Sequence, residues 1–349
     1  MRALTIRAGA PHSEAAEVSL DELAEPTPGP GDLLVDGVAI GVCGTDRWLL
    51  SRSPRSFPGG RDRMIIGHES LGRVRQAPAG SSFTAGDFVA GLVRRPDPVP
   101  CKCCAAGELD ICQNGTYTER GVVGADGYGA EVYLLDQDYA VTVSPQLGLA
   151  GVLVEPTSIV AKAWEVLDLS VRWPDGRALI LGAGPIGLLA ALLAQQRGYE
   201  VHVVDQVADG PKVAQVKALG ATYHQGADGL DGSFEAVVEC SGELVRDAIN
   251  ATARGGALCF VAGGHRAVGN TIELAALSGG LVGNRTYTGV VSSNHRHFEA
   301  AHTALLGADR GWLEDMLTRV VPAQEYATAF AGGPDVIKTV IQLADHPGA

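Results

Sequence analysis

The residues of this chain that could do chemistry lie far apart in sequence. Cys43 stands in Gly41-Val42-Cys43-Gly44-Thr45-Asp46, just past a run that reads as a strand. Further on come Gly67-His68-Glu69, and much later Leu153-Val154-Glu155-Pro156. A thiolate, an imidazole and a carboxylate are the ligand types of a catalytic zinc, which keeps one position open for water or substrate. Adjacent His68 and Glu69 cannot point the same way from a strand, so one of them reads as a variable ligand. Each residue also has a plainer reading, Cys43 as a small buried hydrophobe and Glu155 as an acid at a helix start. Four of the seven cysteines, Cys101, Cys103, Cys104 and Cys112, form a second cluster. In a reducing compartment such a cluster suggests metal before disulfide.

A different chemistry is written between Ala178 and Asp205. An apolar run, Ala178 to Leu181, leads into Gly182-Ala183-Gly184-Pro185-Ile186-Gly187, and an apolar helix pattern follows from Leu188 to Gln196. A second apolar run, Val201-His202-Val203-Val204, ends on Asp205. Strand, glycine turn, helix, strand and acid in this order make a dinucleotide-binding unit. Gly182 permits the tight turn, Gly184 lets a pyrophosphate approach the backbone, and Gly187 lets helix and strand pack closely. The helix N-terminus offers unpaired N–H groups to the phosphates. Asp205 can bind both ribose hydroxyls of NAD and would repel a 2′-phosphate. Gln206 follows, and the next basic residue is Lys212, so NAD is expected over NADP. The nicotinamide should lie over the strand ends near Glu239-Cys240-Ser241-Gly242, with Cys240 and Ser241 beside it.

These residues need two kinds of scaffold. Up to about residue 160 the chain shows short β signals broken by Gly and Pro, such as Leu33 to Ile40 and Asp87 to Val93, with the turn cluster Pro26 to Gly31. This half reads as a compact β-rich domain. Beyond it, helix and strand patterns alternate: Pro211 to Leu219 as helix, Ala236 to Cys240 as strand, Val245 to Arg254 as helix, Ala257 to Val261 as strand. That alternation is what a doubly wound parallel sheet requires. After Asn294 the pattern is helical, with His297 to Leu306 and Trp312 to Thr318, and the strand candidate Ile337 to Ile341 suggests a return to the first domain. The expected class is α/β, with a β-rich unit of residues 1–160 plus 295–349 and a dinucleotide-binding unit of residues 161–294.

Composition narrows the partners. The chain has 349 residues, 46% hydrophobic and 19% charged, which suits about two globular domains. A net charge of −13 with no basic stretch argues against nucleic acid. No continuous apolar run has membrane-spanning length, and the start, Met1 to Arg7, reads as a strand rather than a leader. A cytoplasmic protein is expected.

Taken together, Cys43-Gly44-Thr45-Asp46, Gly67-His68-Glu69, Val154-Glu155-Pro156 and the glycine turn resemble the zinc-dependent medium-chain dehydrogenase/reductase family, over essentially the whole chain. Val93 to Pro96, Tyr117 to Gly121, Glu155 to Lys162, Arg296 to Ala301, Trp312-Leu313 and Ile337 to Ile341 are similar to its glucose dehydrogenase branch. The resemblance implies a GroES-like β-rich catalytic domain beside a Rossmann domain. It implies zinc on Cys43 and His68, with Glu69 and Glu155 binding the metal directly or through water. Thr45 would bridge the substrate oxygen to solvent, and Glu119 would accept a hydrogen bond from a sugar hydroxyl. A homodimer or homotetramer is implied by the same analogy.

Three positions depart from the pattern. The family's second, structural zinc uses Cys-x2-Cys-x2-Cys-x7-Cys; Cys101, Cys104 and Cys112 match the last three, while Pro98 takes the first place. Cys103, Asp97 or another residue is then the candidate fourth ligand, and a lobe held by packing alone is the alternative. Trp48 stands three residues after Thr45, and no relay histidine occurs before His68, so the proton must leave by another route, such as the cofactor ribose and water. Ser292 replaces the asparagine that usually follows Val in the sugar-binding branch, which costs one amide contact to glucose.

The expected reaction is hydride transfer from a hydroxyl of a sugar, cyclitol or aminocyclitol to NAD, with zinc as Lewis acid. The acid at Glu119 would also suit an amino group on the substrate. Two alternatives are a non-catalytic dinucleotide-binding redox sensor and a zinc-free quinone or enone reductase. Both are disfavoured by the ligand types at Cys43, His68, Glu69 and Glu155.

Overall fold

The computed structural model describes residues 1–7, 17–51, 57–171, 176–262 and 274–344, with the backbone alone at 274–277. Two sheets position the metal-ligand candidates near Cys43 and the dinucleotide turn. The first is a mixed sheet in which Arg319–Pro322, Thr339–Gln342, Asp32–Val42, Glu69–Gln76, Phe88–Gly91 and Ala140–Val143 lie side by side. Val132–Asp136 pairs with the same long strand, Asp32–Val42. That strand reads Leu-Leu-Val-Asp-Gly-Val-Ala-Ile-Gly-Val after its first residue, and nearly all of it is buried. β-branched and aliphatic residues favour such a doubly covered strand. The late strand Thr339–Gln342 runs antiparallel to it, with Thr339 opposite Val42, so the end of the chain does return to the first half.

The second sheet has six strands in the order Thr222–Gln225, Glu200–Asp205, Arg177–Leu181, Phe234–Glu239, Thr252–Phe260, Thr286–Gly289. All neighbouring pairs are parallel. Numbered along the chain this order is 3-2-1-4-5-6, the doubly wound dinucleotide-binding arrangement, and its switch point lies between Arg177–Leu181 and Phe234–Glu239. The fold class read from the sequence is therefore correct.

The largest departure from the sequence reading lies at Thr252. The helix expected to reach Arg254 stops at Ala251, and the next strand already begins at Thr252. Thr252 is extended at φ −64° and ψ 125° and pairs with Phe234. Polar and small residues in Ala-Thr-Ala-Arg-Gly-Gly carry no periodic signal, so tertiary pairing decides the boundary.

One helix, Val154–Asp168, joins the two halves. It continues from a 3₁₀ segment, Pro145–Leu153, and the combined run is long and apolar enough to cross a membrane; 83% of its most apolar window is buried inside the protein. It reads as a core helix. Trp164 on it is fully buried and donates its indole N–H to the Ala190 carbonyl at 3.1 Å. That bond ties it to Pro185–Gln196, the helix that follows the glycine turn.

Candidate active site

Cys43 ends the long strand Asp32–Val42 and opens the helix Gly44–Ser51. Asp46, in the first turn of that helix, accepts the Cys43 backbone N–H at 2.8 Å. This fixes the entry of the helix and holds the thiol at its start. His68 precedes the strand Glu69–Gln76, which pairs with Asp32–Val42 and sets Glu69 opposite Gly41. A Cβ at Gly41 would lie 2.1 Å from a Glu69 carboxylate oxygen, so the glycine makes room for this acid. Ligand atoms of Cys43, His68 and Glu69 lie within 4.8 Å of one another. Glu155, in the first turn of the joining helix, is buried with them.

The electrostatics of this pocket suit a cation. Burial alone would lower the His68 imidazole, but Asp46 and Cys43 outweigh it and raise it well above its ordinary value. Asp46 Oδ1 lies 3.5 Å from His68 Nδ1, an electrostatic contact longer than a usual hydrogen bond. Burial pushes the Glu155 carboxyl up to about 7, with His68 opposing and Glu69 adding to the rise. His68 Nδ1 and Asp46 Oδ1 are buried without a hydrogen-bond partner. A thiolate, an imidazole and two acids in one pocket therefore fit a divalent zinc.

Two residues here escaped the sequence reading as site residues. Asp46 was seen only as part of a motif. Lys338 was seen only as part of a strand, yet its ammonium donates to both oxygens of Glu69, at 2.7 and 2.6 Å, and to the Val42 carbonyl at 3.3 Å. Both Lys338 and Glu69 are almost completely buried. The signal was a lone lysine within Ile337-Lys338-Thr339-Val340-Ile341, where a buried charge demands a partner. Glu69 is thus held by a lysine, which gives physical form to its reading as a variable ligand. Thr45 lies half-buried on the first turn of the helix that Cys43 opens.

The dinucleotide turn has the geometry its glycines require. Gly182 has φ +102° and packs against Ser241, and a Cβ at Gly187 would meet the Gly182 carbonyl at 1.7 Å. Gly184 caps the helix Pro185–Gln196 without a side-chain bond, and a Cβ there would meet nothing within 4 Å. Open space before an uncapped helix start fits a pyrophosphate. Pro185 and Ile186 open that helix. Asp205 accepts the Ala183 N–H on Oδ2 and the Gln206 N–H on Oδ1, both at 2.7 Å. The fold brings Lys212 closer to Asp205 than the sequence suggested, with Nζ 4.0 Å from Oδ2. Across the switch point, Glu239 accepts the N–H groups of Ser241 and Gly242. The Ser241 hydroxyl is used within this turn, donating to Glu239 and accepting the Glu243 and Leu244 N–H groups. Cys240 lies beside it, its thiol raised well above the ordinary value by burial.

The remaining candidates need correction or refinement. Sulfurs of Cys101, Cys104 and Cys112 converge within 4.8 Å, and among the described residues no other Cys, His, Asp or Glu joins them. Cys103, on the helix Lys102–Ala105 with Cys104, lies outside this set, although its thiol still interacts with that of Cys101. Asp97 is committed to Val99, Asn114 and Thr116. N–H groups of Cys104 and Gln113 point at Cys101 and lower its thiol to about 6. Three converging sulfurs, one stabilised as thiolate, fit a thiophilic metal with one position not filled by the cluster. Glu119 is not a free charge: its Oε1 accepts from Arg94 Nε and Nη2 at 3.1 and 2.9 Å. That pairing removes the argument for an amino group on the substrate. Ser292 has φ 59°, is 9% exposed, and its hydroxyl has no hydrogen-bond partner.

A metal pocket at the end of one sheet and a dinucleotide turn at the switch point of another are the two parts of a metal-dependent dehydrogenase of the alcohol type. Residues 29–145 match the model of the alcohol dehydrogenase GroES-like domain, and residues 148–343 match that of the glucose dehydrogenase C-terminus. The chain is 34% identical to glucose 1-dehydrogenase of Thermoproteus tenax, covering 98% of this chain and 99% of that one. It is 35% identical to glucose 1-dehydrogenase of Halobacterium salinarum, covering 91% and 94%. Its fold is similar to that of Haloferax mediterranei glucose dehydrogenase in complex with NADP, Zn and gluconolactone, with a TM-score of 0.88, 27% identity, and coverage of 99% and 100%. The chain belongs to the glucose dehydrogenase family of zinc-dependent medium-chain dehydrogenases.

Proposed function

We propose that this protein oxidises a CH–OH group of a sugar, of the glucose type, with NAD as the preferred hydride acceptor. The observation that carries the proposal is the convergence of Cys43, His68 and Glu69, with Glu155 buried beside them, in a chain that also carries the dinucleotide turn. Zinc held by Cys43 and His68, with Glu69 and Glu155 as further ligands, would supply the Lewis acid that makes the substrate hydroxyl acidic, and NAD would take the hydride. Asp46 pairs electrostatically with His68, and Lys338 holds Glu69. Thr45 is placed to pass the hydroxyl proton outward, in the absence of a nearby relay histidine. Gly182, Gly184 and Gly187, with Pro185 and Ile186, would receive the pyrophosphate. Asp205 would receive the ribose hydroxyls, and Cys240 and Ser241 would lie beside the nicotinamide. Glu119 can still meet a sugar hydroxyl, because both bonds from Arg94 go to Oε1 and leave Oε2 for the substrate. Ser292 has a buried hydroxyl without a partner, which the same sugar could meet only once that hydroxyl is uncovered.

The NAD preference rests on Asp205, whose negative charge disfavours a 2′-phosphate even with Lys212 at 4.0 Å. Cys101, Cys104 and Cys112 are proposed to hold a structural zinc with three protein thiolates. Residues 1–160 with 295–349 and residues 161–294 are proposed as the two functional units of a cytoplasmic homodimer or homotetramer. The deciding experiment is a kinetic panel of glucose, galactose, inositols and 2-deoxy-scyllo-inosamine with each cofactor. The expected result is the highest kcat/KM with an aldose and NAD. Activity confined to aliphatic alcohols would defeat the substrate reading, and a clear NADP preference would defeat the cofactor reading.

A further inference from the structure

Residues 291–294 follow Thr286–Gly289, the last strand of the parallel sheet, at its cofactor end. This segment is tied down almost residue by residue. The Val291 carbonyl accepts from Lys162 Nζ at 3.1 Å. Ser293 and Ser158 hydroxyls are 2.6 Å apart, and Ser158 donates its own proton to the Glu155 carbonyl at 2.6 Å. Since Ser158 has one proton, Ser293 must be the donor between them. Asn294 donates to Glu108 at 3.0 Å and to Asp110 at 3.1 Å.

The exception is Ser292. Its backbone sits in the left-handed region, which costs a non-glycine residue on the order of 1 kcal/mol or more, and its buried hydroxyl is unpaired. A strained residue with an unsatisfied group persists only where its surroundings over-determine it.

Lys162 is the central tie. It lies on the joining helix, is 7% exposed, and pairs with Asp110 Oδ2 at 2.7 Å. Asp110 belongs to the cysteine lobe, and its carbonyl accepts from Arg94 at 2.7 Å. Arg94 in turn pairs with Glu119. One polar chain therefore runs from Glu119 through Arg94, Asp110 and Lys162 to Val291, next to Ser292.

We propose that Lys162 is a positioning residue that fixes the 291–294 segment against the cysteine lobe, so that Ser292 and Glu119 are held at a set spacing for the sugar. The sugar contact itself rests on the proposed function above; the clamp does not. Lys162→Met keeps the apolar stem and removes the ammonium. It should raise KM for glucose about tenfold, the worth of one well-placed hydrogen bond. Dinucleotide affinity and zinc content should stay near wild type. In a Ser292→Gly background the same change should raise KM by less than about threefold, because the group being positioned is gone.

An equal KM effect in both backgrounds, or none in the zinc-loaded Lys162→Met protein, overturns the proposal. If Lys162→Met does not fold, the charge-free pair Lys162→Met with Asp110→Asn takes its place with the same expectations. Should the wild type turn over no sugar, the proposed function fails. The clamp is then read by amide hydrogen exchange, which must quicken about tenfold or more across 290–294 in the variant. Unchanged exchange overturns it.

Discussion

The two cysteine-bearing sites of this protein are built on opposite principles. The pocket of Cys43, His68, Glu69 and Glu155 lies at the ends of buried strands and beside a buried helix start, crowded with charges that restrain one another. The cluster of Cys101, Cys104 and Cys112 lies on a short helix and a 3₁₀ turn, and all three cysteines are partly exposed, as Cys43 also is. In the first, two of the four residues have a charged neighbour: Asp46 for His68 and Lys338 for Glu69. In the second, backbone N–H groups stabilise the sulfur of Cys101, and among the described residues no acid takes part. A pocket that must bind, release and polarise needs adjustable carboxylates; a site that only staples a lobe needs thiolates and geometry.

The contrast can be sharpened at its most buried charge pair. Lys338→Met leaves Glu69 with a buried, unpaired carboxylate and should lower stability by about 3–5 kcal/mol. Adding Glu69→Gln should recover most of that loss in denaturant unfolding of the metal-free protein. A single variant within about 1 kcal/mol of wild type would show that the pair holds nothing.

A smaller effect distinguishes the sites by pH. With the folded Glu155 carboxyl at about 7 against an ordinary 4.5, the folded metal-free protein binds the proton more tightly than the unfolded chain does. Its contribution to stability is complete below 4.5 and is lost as pH rises through about 7, on the order of 3 kcal/mol in all. Glu155→Gln should flatten this part of the stability profile, and an unchanged profile would reject the buried-acid assignment. Zinc affinity of the pocket should rise over the same interval, because the acid must lose its proton to become a ligand.

Much of this was legible in the sequence because it is local. Gly182, Gly184, Gly187 and Asp205 are recognisable from spacing, and the parallel sheet from its alternating patterns. Cys43, His68, Glu69 and Glu155 were legible as residue types, and the fold brings three of their ligand atoms within 4.8 Å. What sequence could not supply were partners. Glu69 and Lys338 are 269 residues apart, and Lys162 and Val291 are 129 apart, so no periodicity links them. Glu119 was legible as an acid, while its neutralisation by Arg94 depends on two short strands that pair across a loop. Spacing alone does not say how close the Cys103 thiol comes to its neighbours. Ser292 was read as the loss of an amide; its left-handed backbone, which asparagine tolerates better than serine, is visible only in three dimensions.

The central claim is that the reaction resides at Cys43 and its neighbours while the cysteine lobe is structural. It is tested most directly by zinc content and turnover measured together on Cys43→Ser and Cys112→Ser. Cys43→Ser should lose one zinc and at least about a thousandfold in kcat, with NAD binding retained. Cys112→Ser should lose the other zinc and some thermal stability, with kcat within about tenfold of wild type. Retained turnover in Cys43→Ser with abolished turnover in a folded Cys112→Ser would contradict the account.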